Sequence, residues 1–146
     1  MLEQKIANLK GELIDYADLV EGMIEKSIKG LLDKRKNLLL EVIEKDENLA
    51  NEKEIELDEL TISLIAQYAP KAKDLRTIMM ISKMNNDLER MGDLAVNIAE
   101  SALFLIEKPL VKPLIDIPRM AEESVKMLKD AISSFIDENP RLAKTV

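Results

Sequence analysis

The five prolines of this chain lie at positions 70, 109, 113, 118 and 140. They leave two long tracts, residues 1–69 and 71–108, that contain no proline and few glycines. Proline lacks a backbone donor and clashes with the preceding helical turn, so it marks where helices end. The chain is therefore predicted to form long helices between these positions.

Apolar residues recur in these tracts at alternating intervals of three and four, which is the pattern of a helix with one buried face. We predict helix one over residues 3–32, helix two over 36–68 and helix three from Pro70 to about residue 107. The expected core of helix one is Ile6, Leu9, Leu13, Tyr16, Val20, Met23 and either Ser27 or Ile28. That of helix two is Leu39, Ile43, Ala50, Leu57, Leu60 and Leu64. That of helix three is Ile81, Met84, Leu88, Met91, Ala95, Ile98, Ala102 and Leu105.

Helices of this kind are ~45–55 Å long and, when joined by short connections, pack as antiparallel neighbours. The expected fold is all-α, an antiparallel three-helix bundle over residues 1–108. The three prolines within 109–118 predict a linker. Residues 119–146 predict a fourth helix.

The fourth helix resembles the first, since a shift of 104 residues aligns Met120 with Tyr16 and Met127 with Met23. Such self-similarity indicates an internal repeat. Because the repeat stops at Val146, we expect residues 119–146 to be the first helix of an incomplete, truncated second repeat. Its apolar face is expected to dock on another copy of the chain. That face comprises Met120, Ser124 or Val125, Met127 or Leu128, Ala131 and Phe135.

The composition excludes several functional classes. The chain has no cysteine and no histidine, which removes thiolate and imidazole metal ligands, a cysteine nucleophile and a histidine general base. A net charge of −7 argues against a strongly basic nucleic-acid surface. No apolar run approaches the ~18 residues of a membrane span, and the beginning lacks a secretory signal. A cytoplasmic location is expected.

Oxygen-bearing side chains recur every four residues along helix three, at Glu89, Asp93 and Asn97. At ~100° per residue their row lies more than ~120° from the apolar row and points away from the core. A solvated helix face explains such a row. Carboxylate and amide oxygens one turn apart are also suitable ligands for a hard cation, so the residues alone leave both interpretations open.

Two segments resemble the signature of the PhoU family of phosphate-signalling proteins: YAPKAKDLR (Tyr68 to Arg76) and ISKMNNDLERMGDLAVNIAE (Ile81 to Glu100). Members of this family are built of two repeated three-helix bundles. The resemblance therefore implies one complete repeat followed by the start of the second.

The resemblance also implies metal ligands, because PhoU-like proteins carry a Glu/Asp-x-x-x-Asp pair on two helices of each repeat and some hold metal clusters there. A facing pair would supply the four or more oxygens that hard cations prefer, and the expected metal is iron, zinc or magnesium. The matching positions are Glu54, Asp58, Glu89, Asp93 and Asn97, with Glu47 and Asn51 as weaker candidates.

As a function, the resemblance implies a regulator of phosphate uptake and phosphate-starvation signalling rather than an enzyme. PhoU-like proteins connect the ATPase subunit of the phosphate transporter to a sensor histidine kinase. The chain is accordingly expected to be peripheral to the inner face of the membrane through these partners, to form a homo-oligomer and to bind no nucleic acid.

Two alternatives remain open at this point. The chain could be a structural or oligomerisation bundle, or a PhoU-like domain of another ion or phosphate transporter. A carboxylate-bridged di-metal protein is disfavoured, because its usual Glu-x-x-His pairs cannot exist without histidine.

Overall fold

Long helices with short connections make up the computed structural model, which describes residues 1–146. The elements are α1 (Leu2–Leu32), α2 (Lys36–Glu41), a π-helical turn (Val42–Asp46), α3 (Glu47–Tyr68), α4 (Ala72–Leu105), α5 (Asp116–Ile136) and α6 (Pro140–Thr145). The segment 36–68 forms one continuous rod through the π-helical turn. The all-α prediction is confirmed.

The buried face of α1 is the one that its sequence predicts. Every residue of the predicted row is buried, and of the two alternatives at its end the inward one is Ser27. The Ser27 hydroxyl lies 2.8 Å from the Met23 carbonyl oxygen and 2.9 Å from that of Ala95. These contacts satisfy a polar group in the core and connect α1 to α4.

The buried face of α4 is rotated from the predicted one. Ile81, Leu88, Ala95 and Ala102 are buried as expected, but Met84 and Met91 are only half-buried, and Ile98 and Leu105 are exposed. The buried residues of α4 are Ile78, Ile81, Asn85, Leu88, Gly92, Ala95, Val96, Ala99 and Ala102. Small residues among them lie against the side chains of α1, whereas the larger Met and Leu side chains line an open groove beside α5.

The rod from 36 to 68 buries the predicted Leu39, Ala50, Leu57 and Leu64, whereas Leu60 is exposed. The π-helical turn was not predicted. A π-turn adds a residue to the helical repeat and so changes which side chains face inward. Here it turns the Asp46 side chain into the bundle.

An ion pair holds Asp46 in that position. The Lys26 ammonium lies 2.8 Å from Asp46 Oδ2 and 3.4 Å from Glu41 Oε1, and the Asp46 side chain is only 3% exposed. Burial alone would lower the pKa of Lys26, but its hydrogen bond to Asp46 and the charges of Asp46 and Glu41 outweigh burial and raise this pKa. The pair joins α1 to the π-helical turn.

We expect Lys26→Met to lower the free energy of unfolding by roughly 1–3 kcal/mol, because it leaves a buried carboxylate without its charged donor. Asp46→Asn, which keeps an acceptor and removes the charge, should cost less. Urea unfolding followed by circular dichroism measures both. If the two variants lose equal stability, the unpaired charge is not the cause.

Three helix boundaries differ from those predicted. Pro70 precedes α4, which begins at Ala72, since the chain first reverses through Ala69 in a left-handed conformation with φ 44°. The linker spans 106–115 instead of 109–118, because α4 ends at Leu105 and α5 begins at Asp116 with Pro118 in its first turn, where proline is tolerated. The predicted helix 119–146 is broken at 137–139 and continues as α6.

Helix α5 lies along α1 of the same chain, which differs from the expected docking on another copy. Of the alternatives left open by the sequence, Val125 and Leu128 are the buried ones. An ion pair of 3.0 Å between Lys129 and Glu21 stands beside them. Among the long helices α5 packs against α1 alone, so an apolar groove of about 550 Å³ remains between α1, α4 and α5.

The turn after α5 has the same geometry as the turn after α1. Lys34 and Glu138, 104 positions apart, have φ angles of 52° and 51°. The N–H of Arg35 donates to the carbonyl of Gly30 at 2.9 Å, and that of Asn139 donates to the carbonyl of Ser134 at 2.8 Å. The spacing of the sequence repeat therefore recurs in the backbone.

Gly30 is required by the close approach of α1 and α2. A Cβ at this position would overlap the Leu39 side chain, whose Cγ would lie 2.7 Å away. Gly92 has no such constraint, because a Cβ there would make ordinary contacts of 3.9 Å with Val20 and Met23.

The two glycines should therefore respond in opposite directions to alanine. Gly92→Ala is expected to raise the free energy of unfolding by about 0.5–1 kcal/mol through the higher helix propensity of alanine. Gly30→Ala should lower it by about 1–3 kcal/mol through overpacking against Leu39. Thermal unfolding of both variants is the measurement, and a destabilised Gly92→Ala would contradict the packing of α1 on α4.

Candidate functional site

Four carboxylates of α3 and α4 define what we call the acidic stripe: Glu54, Asp58, Glu89 and Asp93. Glu54 and Glu89 are half-buried, whereas Asp58 and Asp93 are exposed. None of the four forms an ion pair with a lysine or arginine. Their negative charge is therefore not neutralised within the chain.

The electrostatics show which members of the stripe are close. Burial raises the pKa of the Glu54 carboxyl above its ordinary value, and the charges of Glu89 and Asp58 raise it further. Like charges at neighbouring positions disfavour the ionised form. The structure thus brings one carboxylate of α4 against the Glu54–Asp58 pair of α3.

Two buried polar side chains lie beneath the acidic stripe. Burial raises the pKa of the Tyr16 phenol, and the charges of Glu54, Glu89 and Asp93 raise it further. The Asn85 amide donates a hydrogen bond of 3.0 Å to the backbone carbonyl of Glu54. The Tyr16 hydroxyl and Asn85 Oδ1 are both buried and have no hydrogen-bond partner in the chain, which is uncommon for buried polar atoms.

The other candidate residues lie apart from this group. Asn97 lines the apolar groove between α1, α4 and α5. Glu47 is half-buried and Asn51 is exposed, and neither influences the pKa of Glu54 or Tyr16. The structure therefore concentrates the negative charge at the middle of the predicted row rather than along its whole length.

The chemistry of the acidic stripe suits a hard cation, since carboxylates and a phenol supply only oxygen. The arrangement of the side chains does not form a finished metal site, because no three carboxylates converge at coordinating distances. A cation would require some of these side chains to turn toward one another.

The apolar spacing of α1 predicts Tyr16 in the core but not its position beneath the carboxylates, and the predicted core of α4 does not include Asn85. A signal for Asn85 was present. It stands in register with Ile78, Ile81 and Leu88, and a polar residue in a core row must find partners or carry a cost.

The PhoU domain matches residues 13–102, which include α3 and nearly all of α4. The chain belongs to the PhoU domain family. It is 40% identical over 145 residues to a phosphate-specific transport system accessory protein PhoU homolog of Aquifex aeolicus, and 30% identical over 142 residues to the PhoU of Escherichia coli K12.

These PhoU relatives are longer than the chain. The alignments cover 99% and 94% of this chain but 65% and 58% of the Aquifex and Escherichia proteins. The crystal structure of PhoU from Pseudomonas aeruginosa superimposes with a TM-score of 0.93 at 27% identity, covering 99% of this chain and 69% of that one. The helical architecture of this chain is thus that of PhoU.

The raised pKa of Glu54 predicts a dependence of stability on pH. The folded protein holds this proton at a higher pH than the unfolded chain, so the contribution is full below the ordinary glutamate pKa and is lost as pH rises through the raised value. Glu54→Gln should therefore raise stability at neutral pH by roughly 0.2–0.5 kcal/mol, the scale of a like-charge pair one turn apart.

This gain should disappear in acid, where the wild-type carboxyl is itself protonated. The matched control is Glu52→Gln, which removes an exposed carboxylate from another face of α3. Melting temperatures between pH 3 and pH 8 provide the test. An equal gain from both variants at neutral pH would show that net charge, and not the acidic stripe, is responsible.

Proposed function

We propose that this chain is a regulatory component of a phosphate-specific transport system. In this proposal it couples the transporter ATPase to a sensor histidine kinase, represses the phosphate-starvation response and catalyses no reaction itself. The supporting observation is the PhoU domain match over residues 13–102, together with relatives whose names denote accessory proteins of phosphate transport. It acts in the cytoplasm and reaches the inner face of the membrane through these partners.

The long helices suit such a role physically. The acidic stripe and the faces of α3 and α4 away from α1 present extended charged surfaces, and charge complementarity accelerates and orients protein association. The same stripe provides the proposed cation site. Four carboxylates without cationic partners repel one another, and a di- or trivalent ion such as iron, zinc or magnesium would relieve that repulsion.

A reporter assay tests the regulatory proposal. In Escherichia coli K12 lacking its own PhoU, expression of this chain should lower a phosphate-starvation reporter when phosphate is plentiful. Binding of the purified chain to the transporter ATPase subunit, measured by biolayer interferometry, should accompany repression. If the chain binds neither this ATPase nor the kinase, it is a structural or oligomerisation bundle or a domain serving another transporter.

Calorimetric titration with iron, zinc, manganese and magnesium tests the cation site. We expect binding of at least one of these ions, and Asp93→Asn should weaken it at least tenfold with little change in melting temperature, because Asp93 is exposed. The matched control is Asp87→Asn, which removes an exposed carboxylate from another face of α4 and should leave the affinity unchanged. The absence of binding to all four ions would refute metal dependence and leave the regulatory proposal standing.

A further inference from the structure

One end of the bundle exposes large apolar side chains that no other part of the chain covers. The segment 104–115 comprises the last two residues of α4 and the connection to α5, and in it Phe104 is 64%, Leu110 57% and Ile115 73% exposed, while Val111 is fully exposed. Pro109 and Pro113 flank the Leu110–Val111 pair and restrict the backbone around it. The pair therefore forms the tip of a connection held away from the core.

The same end carries basic side chains without acidic partners. Lys108 and Lys112 lie among the apolar residues, Lys34 and Arg35 occupy the turn between α1 and α2, and Lys36 begins α2. All five are exposed, and none forms an ion pair. The Lys108 ammonium instead lies 4.6 Å from the centre of the Phe104 ring.

The two segments lie at one end because α1 and α4 run parallel. The Ser27 hydroxyl contacts the Ala95 carbonyl near the last turns of α1. Leu31 at the end of α1, Leu105 at the end of α4 and Ile117 at the start of α5 line the same groove. The α1–α2 turn and the α4–α5 connection are therefore neighbours.

We propose that this end of the bundle, the basic tip (residues 33–36 and 104–115), docks directly on an anionic lipid surface. In that arrangement Leu110 and Val111 enter the boundary between headgroups and acyl chains, while the lysines and arginine contact lipid phosphates. No helix is long and apolar enough to cross a bilayer, so the contact is peripheral. The inference goes beyond the proposed regulatory role and does not depend on cation binding.

Charge complementarity selects lipid over other occupants. The chain has a net charge of −7, yet residues 33–36 hold three basic side chains and one acidic one. Asp33, Glu107 and Asp116 are the acids of this end, and Asp116 is 3.6 Å from Arg119. Two copies meeting through this end would oppose like charges, whereas an anionic membrane attracts basic residues and accepts apolar ones.

Tryptophan fluorescence provides a probe of this contact without background from other tryptophans. The chain contains no tryptophan, so Val111→Trp places a single indole at the tip. Its emission should shift to the blue with vesicles of phosphatidylcholine and phosphatidylglycerol, and should not shift with vesicles of phosphatidylcholine alone. Raising the salt from about 0.1 M to about 1 M shortens the screening length from ~10 to ~3 Å and should reverse the shift.

Charge reversal locates the surface. Arg35→Glu with Lys36→Glu should weaken vesicle partitioning of the Val111→Trp protein by about 25-fold or more, since each basic residue near an anionic surface contributes roughly fivefold. These positions begin α2, where acidic residues favour the helix dipole, so folding should be preserved and circular dichroism checks it. The matched control is Lys71→Glu with Arg76→Glu, the same charge change at the start of α4 at the opposite end.

The vesicle experiments distinguish docking on anionic lipid from association with a second copy of the chain. Partitioning that needs anionic lipid and is lost only with the Arg35 and Lys36 reversal supports the proposal. Equal loss in both charge variants would attribute binding to net charge and overturn it. A blue shift that grows with protein concentration in the absence of vesicles would assign the tip to a second copy, and no shift under any condition would leave lipid binding refuted.

Discussion

The structure depends on burial of α1 from two sides. One face of this helix packs on α3 and α4, and a neighbouring face receives α5, whose backbone approaches no other long helix. Burial of apolar surface is the main favourable term in folding, and with only four aromatic residues this core is almost entirely aliphatic. The packing of the additional helix on the bundle is therefore centred on α1, and an ion pair of 2.9 Å between Lys73 of α4 and Glu138 after α5 makes a second connection.

The acidic stripe occupies the part of the α3–α4 pair that this packing leaves uncovered. The charge of the stripe nevertheless acts inside the bundle, because it raises the pKa of the buried Tyr16 phenol. The Tyr16 hydroxyl has no hydrogen-bond partner in the chain. Unsatisfied buried polar groups cost free energy. Buried titratable groups with strongly shifted pKa values are enriched at functional sites, and Tyr16 is such a group.

The sequence of α1 determines which of its faces is buried, because only one continuous row of large apolar residues runs along this helix. Helix α4 has two such rows. The row with Met84, Met91 and Ile98 is the more hydrophobic, but the inward row contains Gly92, Ala95 and Ala99, whose small volume allows α4 to approach α1 closely. The spacing of hydrophobic residues identifies the most apolar face of a helix, but it does not determine how closely two helices approach each other.

The remaining features of the fold and site arise from long-range contacts. The inward Asp46 requires both the π-helical turn and Lys26, which is 20 residues away. The position of Tyr16 below Glu54 and Glu89 requires α1, α3 and α4 together. The family signature did identify the carboxylates that come together on α3 and α4, but the structure separates Asn97 from them.

The recurring turn after α1 and α5 shows how one backbone accommodates two side-chain solutions. At the first turn Gly30 faces Leu39, and at the second Ser134 and Ala143, 104 positions later, line a common cavity. The first turn is closed by the contact between Gly30 and Leu39, whereas the second borders open space. A larger side chain at position 30 therefore displaces Leu39, but a larger side chain at position 143 has room to extend into the cavity.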